Sequence, residues 1–173
     1  MKIAICGKMC SGKSTLANTI MRMDSRYQIY SFGTKIKQLA TELFNMKEKD
    51  RSLLTTLATS MRDIQSDVWI KYLLQQTKNK DYCIIDDVRY QDEIDALIQD
   101  NWTIIQLNIS PSLQEKRIKR LYPSNYKDHL QNRSHISELN QINYPDGYPH
   151  YTFHMDTITD NKLNHELYLL LQK

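Results

Sequence analysis

The chain opens with a short apolar run, Lys2–Cys6. It changes at once to a polar stretch bounded by glycines, then to Leu16, Ile20 and Met23 at helical spacing. This pattern predicts a buried strand followed by an amphipathic helix. The alternation repeats. Tyr27–Phe32 predicts a second strand, and Ile36, Leu39, Ala40, Leu43 and Phe44 mark one face of a helix. A charged break, Lys47–Arg51, precedes helices expected over Leu53–Met61 and Asp67–Lys78. Tyr82–Ile85 predicts a third strand closing on Asp86-Asp87, with a helix carrying Ile94, Leu97 and Ile98 behind it. Trp102–Ile109 predicts a fourth strand. Pro111 suits the first turn of the next helix, and Ser112 with Glu115 has capping-box spacing; Ser110 is the other candidate cap. Leu121–Tyr151 is polar and holds three prolines, which predicts mostly loop with a short helix around Ile136–Ile142. A last strand over Tyr151–Ile158 and a last helix over Lys162–Leu171 close the pattern.

Strands alternating with helices imply an α/β domain of three layers, a parallel five-stranded sheet flanked by helices. Its 173 residues suit a single domain over 1–173, with neither repeat nor linker. Ligands of such sheets bind where the strands end. That puts the glycine loop, Phe32, Asp86–Arg89 and Ser110 on one rim. A net charge of +3 is too small to imply a nucleic-acid partner and suits an anionic small molecule. Cys6, Cys10 and Cys83 lack paired spacing, so free thiols are expected. With no apolar leader and no membrane-length run, a cytoplasmic protein without membrane partners is expected.

The chemistry concentrates in Gly7–Ser14, which fits G-x-x-x-x-G-K-[ST] between a strand and a helix. Such a loop cradles a polyphosphate with backbone N–H groups and a helix N-terminus. The expected ATP-binding set is Gly7, Lys8, Cys10, Ser11, Gly12, Lys13, Ser14 and Thr15. Lys13 would reach the β- and γ-phosphates, and Ser14 would hold Mg²⁺. Asp86-Asp87 ends a buried strand, where an acidic residue serves the metal shell. Adjacent residues of a regular strand face opposite ways, so only one of the two can serve one site. A kinase must also bring two anions together, for which guanidinium groups are suited. The candidates are Arg62, Arg89, Arg117, Arg120 and Arg133. Arg117 and Arg120 lie three apart before a long polar segment, which predicts a small lid over about residues 114–135. His150 and His154 have helical metal-pair spacing in a stretch that reads as strand, which argues against a metal. Trp69 and Trp102 read first as core. A GTPase is disfavoured, because Asn161-Lys162-Leu163-Asn164 lacks the final Asp that reads guanine.

With these residues in view, the chain resembles the deoxynucleoside monophosphate kinases of bacteriophages and large DNA viruses. Ser31-Phe32-Gly33-Thr34-Lys35-Ile36-Lys37 looks like the family's S-F-A-D-P-L-K. Ala58-Thr59-Ser60-Met61-Arg62 with Asp67-Val68-Trp69 looks like G-T-E-x-x-R…D-V-W. Asp86-Asp87-Val88-Arg89-Tyr90 with Glu93 looks like D-D-V-R-F-x-N-E, and Ser137-Glu138 like a closing S-E. The resemblance implies a P-loop kinase fold, ATP with Mg²⁺, and phosphorylation of a nucleoside 5′-monophosphate; a homodimer is compatible with it. It implies Lys37, Arg62, Asp87 and Arg89 on the acceptor side, with Glu138 from the closing block. Near these blocks the chain itself offers Trp69, Tyr72 and Tyr90 as walls for a base, with Gln65 or Gln91 at the base edge, and Lys35 as a cation that would instead meet a carboxylate. The resemblance also favours Asp87 over Asp86 beside Ser14 at the metal. The catalytic set is then Lys13, Asp87, Arg89, Arg117 and Arg120. Departures are Thr34 for the family's acid, Lys35 for its Pro, Ala58 for its Gly and Ser60 for its Glu. Animal phosphomevalonate kinases, with S-G-P-L-K and S-D-T-R-R, are the runner-up. A nucleotide-binding regulator without phosphotransfer is the alternative of another class, against which Arg89 and the lid arginines argue.

Overall fold

The computed structural model describes the chain except residues 132, 134–141, 149 and 173, and describes residue 51 by its backbone alone. Five parallel strands form one sheet in the order β2-β3-β1-β4-β5. They are β1 (Lys2–Gly7), β2 (Gln28–Tyr30), β3 (Cys83–Val88), β4 (Thr103–Asn108) and β5 (His150–His154). Alternation along the central strands divides the core in two. Ala4, Cys6, Cys83, Ile85 and Ile104 face one side, where they meet Phe32, Trp69, Ile70, Leu73, Ile94 and Leu97. Those residues come from α2 (Phe32–Phe44), α4 (Val68–Thr77) and α5 (Gln91–Gln99). Ile3, Ile5, Ile84, Ile105 and Leu107 face the other side, against Leu16, Ala17, Ile20, Leu167 and Leu170. These belong to α1 (Lys13–Met23) and α8 (Asp160–Leu171). Strands apolar on both faces therefore sit between two helix layers, as the short apolar runs predict.

Several boundaries differ from expectation for local reasons. Strand β2 stops at Tyr30 because the next residues are taken into the start of α2: the Asp87 carboxylate accepts from the Phe32 and Gly33 N–H groups, both at 2.9 Å. Ser110, not Ser112, caps α6 (Pro111–Leu121), accepting from the Leu113 N–H at 3.2 Å, with Pro111 in the first turn. Strand β5 ends at His154, whose carbonyl accepts from the N–H groups of Thr157 and Ile158 in a tight turn. A helix, α7 (Tyr126–Gln131), forms where loop was expected, and Tyr122 stacks on its His129 at 3.9 Å. The helix expected around 136–142 lies almost wholly outside the described residues.

The polar stretch before β5 is tied to the sheet. The Tyr144 hydroxyl donates to Gln106 Oε1 at 2.8 Å and lies 3.4 Å from Cys6 Sγ, and the Tyr148 hydroxyl bonds the Trp102 carbonyl. All three cysteines are free, with Cys6 and Cys83 buried. No cluster of three or more metal-ligating side chains occurs among the described residues, and none of their helices is long and apolar enough to cross a membrane. Helix α3 (Arg51–Ile64) packs beside α2 and α4.

Candidate active site

The turn between β1 and α1 is a glycine loop that other residues could not form. Gly7 has φ 146°, and a Cβ there would lie 2.6 Å from the Leu107 carbonyl oxygen. Gly12 has φ 109° and stands at the start of α1, while Cys10 takes φ 61° without being glycine. The loop's carbonyls are held from several directions. Lys13 Nζ donates to the Gly7 and Lys8 oxygens at 2.6 and 2.9 Å. From α6, Gln114 Nε2 donates to the Met9 oxygen at 3.0 Å. Arg117 Nη1 donates to the Cys10 and Ser11 oxygens at 3.1 and 3.0 Å. Five consecutive carbonyls, Gly7 to Ser11, thus receive a side-chain donor from Lys13, Gln114 or Arg117. Such clamping fixes the loop's peptide planes, and a loop of this shape can offer its N–H groups to an anion. Lys8, Ser14 and Thr15 are exposed.

The acidic pair divides its work differently from the sequence reading. Ser14 Oγ donates to Asp86 Oδ2 at 2.7 Å. Asp87 instead holds α2: Oδ2 accepts from Ser31 Oγ at 2.6 Å and the Gly33 N–H, and Oδ1 from the Phe32 N–H. Asp86, and not the expected Asp87, is thus the carboxylate in contact with Ser14. The cause lies in the register. Ala4 pairs with Ile85 and Cys6 with Val88, so Asp86 and Asp87 together stand opposite Ile5. A bulge of this kind re-aims side chains at the end of a strand. Burial pushes the Asp86 carboxyl upward, and the Ser14 hydrogen bond works against it. A hydroxyl and a carboxylate in contact at the mouth of the loop are the hard oxygen donors that Mg²⁺ takes.

Arg89 follows directly on β3, and Cys6 pairs with Val88, so Gly7 and Arg89 are the next residues out on adjacent parallel strands. The Arg62 guanidinium, from α3, lies 4.8 Å above the Tyr90 ring and 3.5 Å from Glu93 Oε1. Glu93 Oε2 accepts from the backbone N–H groups of Arg89 at 2.8 Å and Tyr90 at 3.1 Å. Only 3% of Glu93 is exposed. Burial, aided by Asp87, pushes its carboxyl up to about 7 against the two N–H bonds and Arg62.

Other expected residues fall elsewhere. Trp69 is 3% exposed, and its indole N–H donates to the Ala58 carbonyl at 3.1 Å. It is core and is removed from the substrate set, because its rings pack against the sheet. Gln91 gives both ends of its amide to the Asn143 backbone, and Gln65 donates to Asp67. Lys37 and Arg120 are exposed on α2 and α6. Arg133 lies 3.6 Å from Glu115. Glu138 lies outside the described residues. The start of the expected lid is fixed, since Gln114 and Ile118 are buried and Arg117 grips the loop.

The sequence reading gave no role to Gln114 or Glu93. Gln114 stands one turn before buried Ile118 on the inner face of α6, a spacing that marks it as inward-facing. Glu93 stands three residues after Tyr90 at the start of α5, the position from which a Glu reaches back to a backbone N–H.

No curated protein sequence matches the chain. Its fold is shared with solved structures at low identity. A sugar kinase from a Janibacter species superposes with a TM-score of 0.61 at 14% identity, covering 98% of this chain and 93% of that one. A gluconokinase from Sinorhizobium meliloti gives 0.58 at 12%, covering 99% and 93%. A shikimate kinase from Aquifex aeolicus gives 0.52 at 16%, covering 99% and 96%. These likenesses establish a P-loop kinase-like α/β fold. Residues 3–141, from the first strand through the acidic pair and α6, match one family, and the chain belongs to it: the AAA domain family.

Proposed function

We propose that the chain is a kinase that transfers a phosphoryl group from ATP to a (deoxy)nucleoside 5′-monophosphate. The observation that carries this reading is the shared rim: the clamped glycine loop and Arg89 leave adjacent strands, with Ser14 bonded to Asp86 between them. The loop and Lys13 bind the donor phosphates. Arg62 and Arg89 take the acceptor's phosphate, offsetting the repulsion between two anions. Lys37 and Tyr90 serve the rest of the acceptor. Arg117 braces the loop, and Arg120, exposed on the same helix, is a second cation offered to the phosphates. Ser14 and Asp86 would hold Mg²⁺, which supplies charge neutralisation on the phosphates. Asp87 keeps α2 and its Ser31–Gly33 start in place beside the acceptor.

The structural relatives bear sugar, gluconate and shikimate kinase names, which supports phosphoryl transfer to a small molecule. The choice of a phosphate-bearing acceptor rests on the two arginines and on the Asp-Val-Arg-Tyr and Asp-Val-Trp blocks. ADP release should be measured with the ribo- and deoxynucleoside monophosphates, mevalonate phosphate, gluconate and shikimate. The reading expects acceptor-dependent ADP with at least one nucleotide and a preference among bases of roughly tenfold or more. More efficient turnover of any non-nucleotide acceptor overturns it.

A further inference from the structure

We propose that Glu93 is a positioning residue: anchored on the turn that carries Arg89, it aims the Arg62 guanidinium at the acceptor's phosphate. The acceptor clause rests on the kinase reading above. A Glu at this place in a helix commonly reaches back to backbone N–H groups, and it does so while exposed. Here the side chain is 3% exposed, and it meets an arginine from a helix thirty-one residues earlier in the chain. Neither burial nor that arginine is needed for capping. Burying a carboxylate costs stability unless partners compensate. Glu93 has two N–H donors at 2.8 and 3.1 Å and a guanidinium at 3.5 Å. Its two oxygens divide the work: Oε2 sets the turn at Arg89 and Tyr90, and Oε1 faces Arg62.

Arg62 is held on two sides, by this carboxylate and by the Tyr90 face at 4.8 Å. A guanidinium carries five N–H donors in a planar fork. The long contact with Glu93 involves one nitrogen, so a phosphate can be met by another edge without breaking it. One carboxylate therefore sets both arginines, one through its side chain and one through its backbone. The charged groups acting on Glu93 from other elements are Arg62 on α3, which favours the carboxylate, and Asp87 on β3, which opposes it. The ionised form is the one that pairs with Arg62. Acceptor binding should then strengthen as pH rises through about 7, where this carboxyl loses its proton.

The test is Glu93→Gln, which keeps an oxygen for the two N–H groups and removes the charge. The proposal expects the KM for the accepted nucleoside monophosphate to rise on the order of tenfold, the value of one charge-assisted hydrogen bond. The KM for ATP stays unchanged. The acceptor's own phosphate titrates near the same pH, so the comparison is between variants: the rise of kcat/KM from pH 6 to 8 is steeper in the wild type. Unchanged acceptor KM and pH profile with only a lowered thermal midpoint would make Glu93 a mere cap and overturn the proposal. A second measurement needs neither turnover nor the variant. Phenylglyoxal modification of Arg62 in the wild-type protein is mapped by peptide mass spectrometry relative to exposed Arg22. The Arg62/Arg22 ratio should increase several-fold below pH 7, as the carboxyl protonates and lets go. A ratio independent of pH overturns the proposal even if nucleotides are phosphorylated. If no nucleoside monophosphate is phosphorylated, the kinase reading falls while this ratio still decides whether Glu93 holds Arg62.

Discussion

The two halves of the rim, proposed above for donor and acceptor, are built from different materials. On the donor side, the shape belongs to one continuous run, Gly7–Thr15, and the groups presented are largely backbone. Side chains serve it from outside: Lys13, Gln114 and Arg117 hold its carbonyls. On the acceptor side nothing is contiguous. Arg62 comes from α3, Arg89 and Tyr90 from the end of β3, Glu93 from α5, and the Ser31–Gly33 turn is fastened by Asp87. Backbone architecture tolerates few residue types, which is why it leaves a motif. A site assembled from separate side chains can change specificity one position at a time. The join between the halves is the bulge at Asp86-Asp87, where one carboxylate turns to the donor loop and its neighbour to the acceptor helix.

The sharpest break of this contrast is Lys13→Ala. It removes the loop's own cation, and kcat should fall by about a thousandfold or more, while the folded protein persists in circular dichroism. Near-normal turnover would remove the donor assignment. Arg117→Ala should act on the same half more gently. With two loop carbonyls losing their donor, the KM for ATP should rise about tenfold with little change in the acceptor KM, as steady-state kinetics would report. An effect confined to the acceptor would place Arg117 on the wrong side of the rim. A third effect is on stability. Glu93 is raised from 4.5 to about 7 in the fold, so between those values the folded state holds a proton that the unfolded chain releases. Its contribution is full below pH 4.5 and is lost as pH rises through about 7, at no more than about 1.4 kcal/mol per pH unit. Urea unfolding of Glu93→Gln should lack that slope.

The same division explains what was legible. The β1–loop–α1 unit was readable because its signal is local, with glycines, lysine and serine in fixed order. The layers were readable because Ile3–Cys6 and Cys83–Ile85 are apolar on both faces. Which carboxylate meets Ser14 was not, since a regular strand sends Asp86 and Asp87 to opposite faces and only the bulge shows where each ends. Trp69 was misplaced because a family pattern outweighed its spacing with Ile70 and Leu73, all three of which are buried. The brace from α6 was hidden by distance, since Gln114 and Met9 are 105 residues apart. Helix α7 was missed because its residues, Tyr126–Gln131, are mostly polar and lie between a proline and a long polar run.

The division of labour at the acidic pair is tested most directly by measuring Asp86→Asn and Asp87→Asn side by side, for initial rate at several Mg²⁺ concentrations and for thermal unfolding. Asp86→Asn should lose about 10- to 100-fold in rate, partly recovered at high Mg²⁺, with the unfolding midpoint held. Asp87→Asn should lose about 1–2 kcal/mol of stability as α2 gives up its charged cap, with the Mg²⁺ dependence unchanged. If instead Asp87→Asn shifts the Mg²⁺ dependence and Asp86→Asn does not, Asp87 is the metal residue and the account of this rim is wrong.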